Sequence, residues 1–228
     1  MDMKSRVRQI LADLEGVRES LLALSDDIWL NVDHNDSSAL KRAVAFKLSY
    51  NDKMDSFNRS AQDVSTILQQ FVDVPIETPV QIDVRTNGRA RDDLQRGVAG
   101  EPPHGLRENF EYTRPSALAL QGRAYTGLVT WRRTYEIICR QLAGNDPERF
   151  AALPHLPTFM GRQGKPAFST DPGILIAPIE VVGGIYAEGC LSANQIRNRV
   201  QALLREFGIP EQDIQIYLRD DVRSEHRR

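Results

Sequence analysis

Val7-Arg8-Gln9-Ile10-Leu11-Ala12-Asp13-Leu14-Glu15-Gly16-Val17-Arg18-Glu19-Ser20-Leu21-Leu22-Ala23-Leu24-Ser25-Asp26-Asp27-Ile28 is the stretch whose reading decides the fold. Val7, Ile10, Leu14, Val17, Leu21, Leu24 and Ile28 recur in alternating steps of three and four. A helix lying on a globular core usually shows a wider apolar stripe, so this narrow seam predicts a coiled coil. Gly16 interrupts it at a cost of about 1 kcal/mol relative to Ala. Downstream, Asn31 to Ser38 supplies turn formers and N-cap residues, and His34 with Asp33 and Asp36 reads as a solvated loop rather than a metal site. A second three-four pattern follows at Leu40, Ala43, Tyr50, Met54, Phe57, Ala61, Val64, Leu68 and Phe71, with Lys47 its one polar member, and Val74-Pro75 ends it. Residues 1–74 are therefore expected to be an antiparallel helical hairpin roughly 40 to 55 Å long. Two helices bury such seams incompletely, so the hairpin is expected to find further helices, most simply those of a second copy.

Composition narrows the function classes. With 41% hydrophobic and 26% charged residues among 228, the chain fits neither disorder nor a membrane protein. Its most apolar run, Ile174 to Ile185, is broken by Pro178, Glu180 and two glycines, too short to span a bilayer. No signal-peptide pattern opens the chain, and two cysteines make no disulfide framework or zinc site. A cytoplasmic location without cofactor or metal is the expectation. Net charge is −2, yet Arg114 to Arg205 carries a local excess of basic residues.

Residues 75–115, rich in Pro and Gly, read as a linker with one strand at Val80 to Arg85, a turn at Asn87-Gly88, and a solvated basic cluster of Arg85, Arg89, Arg91 and Arg96. Residues 116–219 read as an α+β domain, a small mostly antiparallel sheet with two main helices. Its hairpin turns at Gln121-Gly122. One helix buries Trp131, Tyr135, Ile138 and Leu142 and stops at Gly144. Asp146-Pro147 opens a short helix, two strands, Ile174 to Val182 and Ile185 to Leu191, flank Gly183-Gly184, and Ser192 caps a helix burying Ile196, Val200, Leu203 and Phe207. Ile214 to Leu218 closes the domain, and 220–228 is expected to be a mobile tail. Gly122-x-x-Tyr125, Trp131, Cys139, Pro147-Glu148-x-Phe150, Leu191-Ser192-Ala193-Asn194 and Ile216-Tyr217-Leu218 together resemble a C-terminal module of uncharacterised bacterial proteins found in restriction and phage-defence neighbourhoods. That resemblance implies a setting and no catalytic residues.

Three functions follow from the residues. The favoured one is a non-catalytic interaction protein, associating through Val7, Ile10, Leu14, Val17, Leu21, Leu24 and Ile28 with Met54, Phe57, Val64, Leu68 and Phe71. Its partner is itself or another protein, and the domain offers Asn194, Arg197, Asn198, Gln201, Arg205, Arg132, Arg133 and Arg140 to nucleic acid, types suited to phosphates and base edges. The second is a metal-independent ribonuclease in which His155 moves a proton and Arg149 stabilises charge, a pair resembling that of certain small helical ribonucleases. The third is a pure protein scaffold. Cys139 and Cys190 read as small core residues.

Overall fold

The computed structural model describes residues 2–72, 80–83, 102–161 and 164–219. The opening seam forms α1 (Met3–Leu30) and α2 (Ser37–Val72), antiparallel to each other. Their starts are fixed by capping carboxylates, the one at Asp36 within the run expected to supply it. The Asp2 carboxylate accepts from the Ser5 amide at 2.6 Å, and Asp36 accepts from the Ser38 amide at 2.7 Å. In the loop between them, His34 packs edge-on against Trp29. Lys47 turns out to belong to the seam, since its Nζ donates to Ser25 Oγ and Asp26 Oδ1 at 2.7 and 2.8 Å, while Tyr50 donates its hydroxyl to Leu21 O at 2.9 Å.

The rest of the chain is α+β, with two small antiparallel sheets where the sequence suggested one. β1 (Val80–Asp83), β2 (Pro115–Leu120), β3 (Arg123–Thr126) and β7 (Ile214–Leu218) make the first, in the order β1-β3-β2-β7. The β2–β3 turn has positive φ at both Gln121 and Gly122, the backbone that matches strand twist in a two-residue hairpin. β4 (Phe168–Ser169), β6 (Ile185–Glu188) and β5 (Pro178–Val182) make the second sheet, with Gly183-Gly184 turning between the last two. The strand expected from Ile174 begins only at Pro178, because Pro172–Ile174 forms a 3-10 turn. Arg85, Arg89, Arg91, Arg96, Asn87-Gly88 and the tail from Asp220 lie outside the described residues.

α3 (Trp131–Asn145) is capped by Thr130 and runs through Gly144 rather than stopping there. α4 (Pro147–Ala152) starts on Asp146 with Pro147 in the first turn. α5 (Ala193–Glu206) opens with a full capping box between Ser192 and Gln195. These helices bury the stripes their spacing predicts: Trp131, Tyr135, Ile138 and Leu142 on α3, and Ile196, Val200 and Leu203 on α5, around Phe110, Phe150 and Phe168.

Candidate association surface

The hairpin does not stand clear of the α+β head. One face of α1 is buried, and its members are Leu11, Ala12, Gly16, Arg18, Glu19, Ala23 and Ser25. Two of them are charged, an arrangement the coiled-coil pattern does not reveal. Arg18, 2% exposed, donates Nη2 to Gly189 O of the head at 2.9 Å and pairs with Glu15. Burial opposes its charge most strongly, but the Glu15 carboxylate, with smaller help from Cys190 and Glu19, outweighs it and holds the guanidinium above its ordinary pKa. Glu19, 4% exposed, accepts the Arg132 backbone N–H at 3.1 Å. Its other oxygen lies 3.5 Å from Arg114 Nη1, an ion-pair distance without hydrogen-bond geometry. Burial, reinforced by Glu15, pushes the Glu19 carboxyl up to about 8.

Gly16 is explained by the same layer. A Cβ there would sit 1.7 Å from the Arg114 guanidinium, so the absent side chain is what lets Arg114 reach Glu19 across α1. Three further bonds tie hairpin to head. Tyr112, itself in the left-handed region at φ 57°, donates its hydroxyl to Asp27 at 2.5 Å. Asn58 of α2 donates to Cys190 Sγ at 2.7 Å, and Gln195 reaches Asp26 at 3.3 Å.

Because α1 uses this face for the head, the apolar seam divides. Val7, Leu14 and Leu21 are half-buried, whereas Ile10, Val17 and Leu24, one heptad apart, are 59%, 50% and 42% exposed. Met3, seven residues before Ile10, and Ile28 extend this outer row. On α2, Met54 is buried, Phe57 and Leu68 are half-buried, and Val64 and Phe71 are exposed. Beside the outer row of α1 lies an open groove of about 230 Å³ lined by Gly16, Val17, Ser20, Leu21, Leu24, Tyr112 and Arg114.

Charge along α1 is ordered too. Lys4, Arg6 and Arg8 follow its start and Asp26 and Asp27 precede its end, with no acid in the first turn and no base in the last. This runs against the helix macrodipole, which favours anions at the N-terminus and cations at the C-terminus by about 0.3–1 kcal/mol each.

The residues proposed to meet nucleic acid are largely engaged within the chain. Asn194 accepts from the Phe110 amide and donates to Asn109 and Glu111, Gln201 donates to Leu106 O, and Arg197 donates to Glu108 O at 2.6 Å, so three α5 side chains hold the 104–111 segment. Arg132 donates to Pro178 O, and Arg133 and Arg140 share Glu136. Asn198 and Arg205 face solvent, Asn198 accepting from Arg197 and Arg205 donating to Gln201 O. The ribonuclease pair is not assembled: Arg149 lies over Phe207 with Nη1 toward Glu206 O, His155 stands exposed on a 3-10 turn, and among the described residues no hydrogen bond or ion pair joins them. Burial raises the thiol pKa of Cys139 and, to about 11, that of Cys190, the reverse of an activated nucleophile. Among the described residues no His, Cys, Asp and Glu group is placed to hold a metal, and no helix is long and apolar enough to cross a membrane. Comparisons with family models, curated proteins and solved structures find no match to this chain.

Proposed function

We propose that this protein is a non-catalytic association module whose hairpin joins two copies of the chain through the outer row of α1. The observation that carries this is the exposure of Ile10, Val17 and Leu24 at heptad spacing on a helix whose opposite face is already committed to the head. Apolar side chains repeated every seven residues align along one helix flank, drifting only about 20° per heptad, so they suit a second helix. The charge order selects the occupant. A second α1 laid antiparallel brings Arg6, which flanks the outer row near its start, toward Asp27 near the end of the other copy, relieving part of the conflict with the macrodipole, while Asp26 stays paired with Lys47. A two-fold axis perpendicular to α1 gives that orientation, with each copy presenting the same patch.

With the axis at Val17, Ile10 of each copy meets Leu24 of the other, next to the groove bordered by Tyr112 and Arg114. Nearly all the apolar row is then covered, and exposed Val64 and Phe71 of α2 lie available to complete a four-helix contact. The head projects from this dimer with its own surface free, in the bacterial defence setting that the resemblance of its C-terminal half implies.

Sedimentation velocity on the full chain tests the reading. A dimer that Val17→Asp converts to a folded monomer supports it. A wild-type chain that stays monomeric at about 100 μM, where even a weak dimer of micromolar Kd is formed, overturns it.

A further inference from the structure

Apart from the hairpin, the head contains a cleft that gathers Arg133 and Arg140 with strand residues from β1 and β3. Gln81 of β1, Arg123 and Tyr125 of β3, and Arg133, Ile137, Arg140 and Gln141 of α3 line a volume of about 310 Å³. Two local regularities assemble it. The antiparallel register of β1 and β3 sets Gln81 opposite Tyr125, and on α3 positions 133, 137, 140 and 141 fall on one flank. The floor is fixed by a chain of hydrogen bonds in which Tyr125 donates to Gln141 Oε1 at 3.0 Å and Gln141 donates to Leu120 O at 2.9 Å.

We infer that this cleft binds a phosphoryl group. Three guanidinium groups meet at its walls, and none of the seven lining residues is acidic. Glu136, one turn from both Arg133 and Arg140, gives one oxygen to each, at 2.7 and 2.8 Å, and leaves most of their donors unused. Arg140 spends one more on Glu180 O at 3.2 Å. Arg123 stands beside the Tyr125 hydroxyl and partly offsets the upward push of burial on that phenol. Among the described side chains, the balance of three cations against one carboxylate is what a dianionic phosphoryl group neutralises, and forked guanidinium donors match its oxygens. A phosphomonoester on a small molecule supplies both charges itself, and two adjacent phosphodiesters of a nucleic-acid strand supply one each.

Titration calorimetry on the full chain, with pyrophosphate, adenosine monophosphate and a short single-stranded RNA as probes, distinguishes these sources. The expected result is binding of at least one probe, weakened about tenfold or more by Arg123→Gln or Arg140→Gln, with the unfolding temperature of each variant as the check on folding. Arg123 is exposed, so its variant carries the test should Arg140→Gln fail to fold. Glu136→Gln, which frees Arg133 and Arg140, is expected to strengthen binding severalfold, a gain that a purely structural role for this triad would not produce. Tightest binding by RNA, with a steep salt dependence, assigns the strand as source, and tightest binding by a small phosphate assigns the other. Absence of binding by all three at about 10 mM, an affinity unchanged by Arg123→Gln, or a loss on Glu136→Gln overturns the proposal.

Discussion

The two flanks of α1 invert the usual rule of burial. Besides Leu11, the buried flank is Ala12, Gly16, Arg18, Glu19, Ala23 and Ser25, small or charged and nearly sealed from water, with Gly16, Arg18 and Glu19 against the head, while Ile10, Val17 and Leu24 face out. The inward flank is held by directional contacts, with Arg18 on Gly189 O, Glu19 on the Arg132 amide and Arg114 seated over Gly16, and these set how the hairpin sits on the head. The outward flank has no directional contact and a repeating apolar surface, as expected of a face completed by another helix. A helix can thus be committed to one partner by polar chemistry and remain available to another by hydrophobic area.

The largest difference between the flanks should appear on removing Arg18. Arg18→Ala leaves Glu15 without its ion-pair partner and Gly189 O without its donor in a buried layer and should cost about 3–5 kcal/mol in urea unfolding, against less than about 0.5 kcal/mol for Ile10→Ser measured at protein concentrations where the chain is monomeric. Comparable losses would erase the distinction.

Glu19 sharpens it through pH. Its folded pKa lies above its unfolded value, so protonation favours the fold: this support is fully present below about pH 4.3 and is lost as pH rises through about 8. Stability should fall across that window by at most about 1.4 kcal/mol per pH unit, and Glu19→Gln should flatten the profile and exceed the wild type above pH 8. A profile unchanged by that substitution would place the titration elsewhere. Gly16→Ala has a smaller effect with an unusual sign. Ala should gain about 1 kcal/mol in an open helix, yet here it displaces Arg114 from Glu19 and should lose about 1–2 kcal/mol in thermal unfolding. A gain would mean that Arg114 moves aside freely. Tyr112→Phe, removing the hydroxyl that Asp27 accepts, should cost about 1 kcal/mol.

Where structure depends on near neighbours, the sequence was a good guide, the helix stop placed at Gly144 and the strand start placed at Ile174 excepted. The caps at Asp146 and Ser192, the turn at Gln121-Gly122, the buried stripes of α3 and α5, and the hairpin itself follow from residues within a few positions of each other. The facing of α1 did not, because heptad spacing gives the period of a seam and not which flank meets which partner. Charged residues are seldom fully buried, so Arg18 and Glu19 read as surface. The available signal was Gly16, a costly residue in mid-helix next to both. The basic cleft was half legible, since Arg133 and Arg140 share a helix face, but Arg123, Tyr125 and Gln81 join them only through strand pairing. Asn194 and Gln201 look like a free polar face until the 104–111 segment is seen folded against them.

Disulfide trapping on the full chain is the most direct measurement of whether the outer flank of α1 is an antiparallel interface. Val17→Cys should cross-link to its own copy, and a mixture of Ile10→Cys and Leu24→Cys chains should join to each other, while Ile10→Cys alone stays uncoupled. Self-coupling of Ile10→Cys as readily as Val17→Cys would indicate parallel helices. No coupling at Val17, with the chain folded, would contradict the interface itself.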